Sequence, residues 1–280
     1  MLTRRRFSLR LTDVLMYGLL IGVSAFMILP FIWMVSTSLK PPDEIFAIPP
    51  IIISAHSSLN AYAYLQEQYH ILSIVKNTFV IAFSATILRL FFCALGGYGF
   101  AKFKFPGQGA LFAFLLGTMV IPGAVTLVPV YIIMRNLKWI DTFWPLIIPG
   151  AANAFGIFFM RQYIMSVSNE LMDAARIDGA GEFTIFWRII LPIIAPGLTS
   201  LGLIFFMASW NDFIGPLIYL KSPEHFTLPL IIRSLIGPVG RTVYDVQMAA
   251  SVISLIPLLI IFLIFQRRIV EGITAGAIKG

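Results

Sequence analysis

Apolar residues come in long blocks, separated by short stretches where proline, glycine and charge concentrate. The first uncharged block, residues 14–35, holds about 22 residues and spans roughly 33 Å as a helix, enough to cross a hydrocarbon core of about 30 Å. Further blocks run over 74–101, 109–134 and 142–160, then from Pro196 to the Trp210-Asn211-Asp212 stretch, and over 248–265. Six blocks predict six transmembrane helices in an all-α polytopic membrane protein, because a helix satisfies its backbone polar groups within its own segment. The first block is too long for the apolar region of a cleaved signal peptide, about 7–15 residues, and ends near Trp33, so it reads as a retained span.

The interruptions differ in character. Residues 36–73 open with Pro41-Pro42 and Pro49-Pro50, and their second half fits a short amphipathic helix begun by Ser58 or Asn60. Pro122 and Pro129 fall inside one block and are expected to break or kink it. Arg89 sits near the middle of the second block, where a cation is costly and faces the bundle interior or a hydrated path. A pore-side or gate-side role and a structural pairing with a carboxylate or free carbonyls fit Arg89 equally. The most highly charged interruption in the middle of the chain is 169–196. Asp173-Ala174-Ala175-Arg-Ile-Asp178 reads as a short helix ended by Gly179, which reaches the left-handed conformation cheaply. A second helix is expected from about Glu182 to Ile190, stopping before Pro192, with Phe183, Phe186 and Trp187 on one face.

Composition agrees with the blocks. Of the 280 residues 59% are hydrophobic and only 12% charged, with a mean hydropathy of +0.90, against roughly a quarter charged in soluble domains. The net charge of +7 lies beside and between the blocks, a topology signal and not a nucleic-acid surface. Six spans place both termini on one side. With the N-terminus inside, 12 basic residues fall inside (Arg4, Arg5, Arg6, Arg10, Lys102, Lys104, Arg161, Arg176, Arg188, Arg267, Arg268, Lys279) and 7 outside (Lys40, Lys76, Arg135, Lys138, Lys221, Arg233, Arg241). That bias predicts cytoplasmic termini and puts 169–196 in the cytoplasm. Cys93 stands alone, and His56, His70 and His225 are scattered, so neither a disulfide nor a metal set is expected. No Gly-x-x-x-x-Gly-Lys-Ser/Thr loop, nucleophile–base pair or other catalytic constellation is visible, which argues against an integral-membrane enzyme. Asn211 and Asp212, near the outer end of the fifth block, are polar groups in apolar surroundings. With Trp210 they suit a path or gate for a hydroxyl-rich solute, or alternatively a cap on the helix end.

The spacing Asp173-Ala174-Ala175, three residues, Gly179, nine residues, Ile189, one residue, Leu191-Pro192 resembles the EAA loop of ABC importer membrane subunits. Asp173 replaces the usual Glu, and Ser168 stands where a proline is frequent. Trp210-Asn211-Asp212-Phe213 with Pro216-Leu217, Phe226-Thr-Leu-Pro-Leu230 and the terminal Gly272–Gly280 segment are similar to carbohydrate-type permeases, specifically the second permease of maltose-type transporters.

The resemblance implies the type I ABC importer permease fold: one transmembrane domain over 1–280, with a core at about 74–268, an external segment at 36–73, a coupling loop at 166–196 and a cytoplasmic tail at 266–280. It implies an ATP-driven, binding-protein-dependent importer of a carbohydrate or polyol in a prokaryotic cytoplasmic membrane. Expected partners are a second permease, a cytoplasmic ATPase dimer, an extracytoplasmic solute-binding protein and the bilayer, with no nucleic acid. This chain would bind no cofactor, and ATP and Mg would sit on the ATPase. The implied coupling residues are Glu170, Asp173, Ala174, Ala175, Asp178, Gly179, Ala180, Ile189, Leu191 and Pro192. An ion-coupled secondary transporter remains the alternative, with Asp212 its clearest intramembrane carboxylate.

Overall fold

The computed structural model describes residues 11–237 and 243–277, without the side chains of Leu11 and 267–277. Arg4, Arg5, Arg6, Arg10, Arg241 and Lys279, and the side chains of Arg267 and Arg268, therefore lie outside the described residues. Every regular element among the described residues is helical. The chain forms two compact units, Met1–Tyr69 with Leu235–Ile253, and His70–Ser234 with Ser254–Gly280.

In the first unit, α1 (Leu11–Leu39) is apolar on all sides and carries Pro30 internally. Its most apolar window is wholly unburied, as a helix meeting lipid or another subunit requires. The chain then turns through Pro42–Glu44 into α2 (Asn60–Tyr69), the helix expected in the second half of 36–73. Ser38 Oγ and Tyr62 Oη lie 2.8 Å apart, and Ser58 N donates to Leu39 O at 2.9 Å, so α2 is tied to the end of α1. Lys40 is buried with its ammonium 4.3 Å from the Trp33 ring centre, a cation–π contact that partly offsets its lost hydration.

The second unit is built on α3 (Ile71–Lys102), whose 32 residues rise about 48 Å. It is followed by α4 (Gln108–Thr118) and α5 (Gly123–Asn136), bent by 97° across their break. Pro122 caps α5, while Pro129 sits within α5 without ending it. The fourth apolar block is not one rod. It divides into α6 (Trp144–Ile147) and α7 (Ala154–Met165), with Asn153 Oδ1 accepting from Gly156 N as the cap of α7.

Next come α8 (Asn169–Ile177), then α9 (Glu182–Ile185), a π-helical stretch Phe186–Ile190 and α10 (Leu191–Ile193), which run on as one helix. The second helix of the polar interruption thus does not stop before Pro192. The wider π turn makes room for the proline ring, which would otherwise meet the carbonyl four residues back. The break falls at Ile194, where α11 (Ala195–Trp210) leaves at 78°. The unit continues with α12 (Ile214–Tyr219) and α13 (Leu228–Ser234). The last helix, α14 (Tyr244–Ala277), begins in the first unit and enters the second at Ser254; it passes through Pro257 and stays helical beyond residue 266.

By length and composition three helices can cross a membrane singly, and up to five can if each bent pair forms one span. The broken 142–165 region is the remaining block of the six.

α7 and α11 both pack on α3, and their shared core holds Cys93, Ala94, Tyr98, Ile157, Met160, Ile164, Leu201 and Phe205. Close approach is possible because position 97 has no side chain. A Cβ on Gly97 would lie 2.7 Å from Met160 Cβ and 2.9 Å from the Arg161 backbone nitrogen.

Candidate functional site

The polar interruption folds as a helix-turn-helix fastened to one end of α3. Ser168, where the resemblance had suggested a proline, caps α8 by accepting from Glu170 N at 3.2 Å. Gly179 has φ +82°, and Gly179 N donates to Arg176 O at 3.0 Å while Ala180 N donates to Ala175 O at 2.9 Å, closing the helix. The turn is locked by charge. Arg176 donates to Asp173 Oδ1 at 2.7 Å and to Glu182 Oε1 at 2.8 Å, and Tyr98 of α3 donates to Glu182 Oε2 at 2.8 Å. Lys102 donates to Val167 O and to Asn169 Oδ1. Exposed ion pairs contribute little each, about 0–1 kcal/mol, so apolar packing carries the attachment. Met172, Ile185, Phe186 and Ile190 are buried in the α3–α7 core, with Ala175, Ala180, Ile189 and Leu191 packed around them.

The motif residues therefore face two ways. Ile189 and Leu191 face the bundle, whereas Glu170, Asp173, Ala174, Asp178 and Gly179 face outward and Pro192 is exposed on the following helix. At the tip Ile177 is 87% exposed, next to polar Asp178, an apolar knob that none of the described residues covers.

A second feature lies about midway along α3. A cavity of about 220 Å³ is lined by Thr78, Ile81 and Arg89 of α3, Leu146 of α6, Ala208 and Ser209 of α11, Asp212, Pro216 of α12, and Thr227. Arg89 and Asp212, 123 positions apart, meet here. Arg89 Nη1 donates to Ser209 Oγ at 3.0 Å, its guanidinium carbon lies 5.8 Å from the Phe205 ring centre, and its face rests against Gly150, where a Cβ would be 2.7 Å from Nη2. Asp212 accepts from Gly215 N at 3.2 Å, so it caps the start of α12 and also lines the cavity. Its neighbours turn elsewhere. Trp210 is fully buried, stacked on Phe206 and donating from Nε1 to Ser254 O at 3.1 Å, and Asn211 folds back to donate to Met207 O at 2.9 Å. Ser209, Thr78 and Thr227 were not singled out from the sequence. Ser209 adjoins a motif, but nothing local marks two threonines about 150 residues apart.

A third cluster ties the far end of the bundle. Asp141, with φ +63°, accepts from Lys221 N at 2.8 Å, Ser222 N at 2.9 Å and the Ser222 hydroxyl, and His225 Nδ1 lies 3.2 Å away. The Ser222 hydroxyl, then the Ser222 and Lys221 amides, hold the Asp141 carboxyl well below the usual carboxylate range. A depressed folded pKa means that this clamp contributes its full stability above the ordinary carboxylate pKa of about 4. The contribution is lost as pH falls from there through the folded pKa. Hydrogen exchange at the Lys221 and Ser222 amides is expected to rise at least tenfold in Asp141→Ala near neutral pH. In the unaltered chain these amides should stay protected well below pH 4, and an exchange profile insensitive to Asp141 would refute the clamp.

A sequence model described as binding-protein-dependent transport system inner membrane component matches residues 94–275. The chain belongs to that family. Its members are transporter permeases, and this permease is accordingly a membrane protein and not a catalytic subunit. It is 38% identical over 204 residues, 73% of this chain and 72% of the relative, to the arabinooligosaccharides transport system permease protein AraQ of Bacillus subtilis. It is 31% identical to the diacetylchitobiose uptake system permease protein DasC of Streptomyces coelicolor, over 91% of this chain and 92% of that protein. Against the lactose transport system permease protein LacG of Rhizobium radiobacter, identity is 30% with both chains wholly covered. The fold matches a chain of a bacterial ABC transporter involved in import of the acidic polysaccharide alginate, with TM-score 0.82 and 22% identity, over 94% of this chain and 98% of that one. The type I ABC permease architecture expected from the EAA-like spacing is thus the observed one.

Proposed function

We propose that this permease carries a carbohydrate or related polyol across a prokaryotic cytoplasmic membrane, driven by ATP hydrolysed on a separate subunit. The relatives named for arabinooligosaccharides, diacetylchitobiose and lactose support a carbohydrate cargo. A solved relative bears a pentasaccharide-bound periplasmic protein, with TM-score 0.63, which supports a solute-binding partner. The observation that carries the coupling assignment is the exposed Ile177 knob on a helix-turn-helix whose other face is buried in the α3–α7 core.

In this reading the loop faces the cytoplasm, the termini lie on that side, and a cytoplasmic ATPase dimer binding ATP and Mg covers Ile177. A second permease completes the translocation path. Nucleotide-driven closure of the ATPases would displace Glu170, Asp173, Ala174 and Asp178 on the outer face of the loop. Ile189 and Leu191 would pass the displacement into the bundle, and a two-state motion of packed helices would alternate the access of the path. Arg89 and Asp212 line that path. Asn211 ends α11, and Trp210 anchors α11 from behind.

The test is reconstitution with the second permease, the ATPase and the binding protein in proteoliposomes. Carbohydrate-loaded binding protein is expected to stimulate ATP hydrolysis and uptake, and Ile177→Asp to reduce both at least tenfold. Uptake driven by an ion gradient without ATP would instead support the secondary-transporter reading.

A further inference from the structure

We propose that the cavity beside α3 and α11 is a binding site for one neutral, hydroxyl-rich ring, gripped by Arg89 from one side and Asp212 from the other. The inference rests on the carbohydrate permease reading and goes on to name the site and its charge preference.

The space suits a small occupant. A volume of about 220 Å³ has room for one sugar ring. Charge limits it next. Arg89 and Asp212 both line the cavity, yet among the described residues no ion pair joins them. Each charge therefore keeps hydrogen-bonding capacity that the other does not use.

The donors and acceptors are also left open. Arg89 Nε is buried without a partner, and so is the hydroxyl of Thr227, a residue only 2% exposed. A buried polar group without a partner is costly, and both residues belong to the cavity wall. The guanidinium is held in place by Ser209, Phe205 and Gly150, so a bound ring does not have to order it. Adjacent hydroxyls on a ring can accept from a planar guanidinium while donating to a carboxylate, and both geometries are bidentate. A ligand carboxylate would gain from Arg89 but meet Asp212, whereas an ammonium would gain from Asp212 but meet Arg89. The pair thus selects against both signs of charge.

The experiment uses the assembled transporter in nanodiscs. Equilibrium binding is measured with D-glucose, D-galactose and L-arabinose, with D-glucuronate and D-galacturonate, and with D-glucosamine. At least one neutral sugar is expected to bind at least tenfold tighter than the charged analogues. Asp212→Asn keeps the oxygen that accepts from Gly215 N, and is expected to shift preference toward the uronates at least tenfold. Arg89→Gln should shift preference toward glucosamine. If Arg89→Gln does not assemble, the selectivity of the unaltered complex and the Asp212→Asn shift still decide the matter. Uronates bound as tightly as neutral sugars, no binding by any sugar, or preferences indifferent to Asp212 would each overturn the site. ATP-driven carbohydrate import by the same complex separates the two levels. Import that persists while the selectivity fails leaves the permease reading standing, and absence of import removes both.

Discussion

Replacing Gly179 with valine is expected to cut ATP-driven import at least tenfold while the chain still inserts and accumulates normally. At φ +82° a β-branched residue is a strong outlier, and the left-handed conformation costs an L-residue about 1–2 kcal/mol. No atom lies within 4 Å of the Cβ position, so the cost is torsional and the bundle is undisturbed. The strain is relieved most cheaply by giving up the bonds from Gly179 N to Arg176 O and from Ala180 N to Ala175 O, which unwinds the last turn of α8. That turn carries Ile177 and Asp178, the tip assigned to the ATPase. Gly179→Asp should be milder, because aspartate tolerates the left-handed region better than valine. Uptake and ATP hydrolysis measured together check this. Full import by the valine variant would remove the turn from the coupling mechanism.

The second large effect is expected at Gly97, for the opposite reason. There the backbone conformation is ordinary and space is lacking, since an added Cβ would stand 2.7 Å from Met160 and 2.9 Å from the main chain at Arg161. A neighbouring helix backbone cannot rotate aside as a side chain can. Gly97→Ala should destabilise by about 1–3 kcal/mol, the usual range for overpacking, and Gly97→Leu should prevent α3 and α7 from closing at all. Because the loop is seated on this crossing through Ile185, Phe186 and Ile190, accumulation and thermal stability should fall together with import. Fluorescence-detected size-exclusion chromatography with a heat step reads both, and a Gly97→Leu chain as stable as the unaltered one would refute the packing account.

These two glycines show how unevenly the molecule could be read in advance. Gly179 was legible because a helix-ending glycine within a polar segment has a local conformational reason to be there. Gly97 looked like one more small residue in an apolar block, and its importance arises only from which helix crosses it. The same contrast separates Asp212 from Thr227. Asp212 stood out as a carboxylate in apolar surroundings, whereas a threonine in a loop carries no signal until the chain brings it to the cavity that Arg89 also lines. Trp210 and Asn211 shared a motif with Asp212, but adjacent positions at a helix end point in different directions. One entered the core and the other bonded to its own helix. The Pro192 stop failed because proline terminates an α turn, and the wider π turn before it removed the clash.

From the sequence alone came the helical membrane class, the apolar blocks, the polar interruption and its turn, and the absence of a phosphate loop. These depend on the hydrophobicity of contiguous residues, on local backbone preference and on spacing, all carried within a few turns of chain. Only the tertiary structure decided that the fourth block is divided, which motif residues face the bundle and which face outward, and that Arg89, Asp212, Ser209 and Thr227 share one cavity. Side-chain direction and long-range proximity are set by helix crossings, and crossings depend on the packing of residues far apart in the chain.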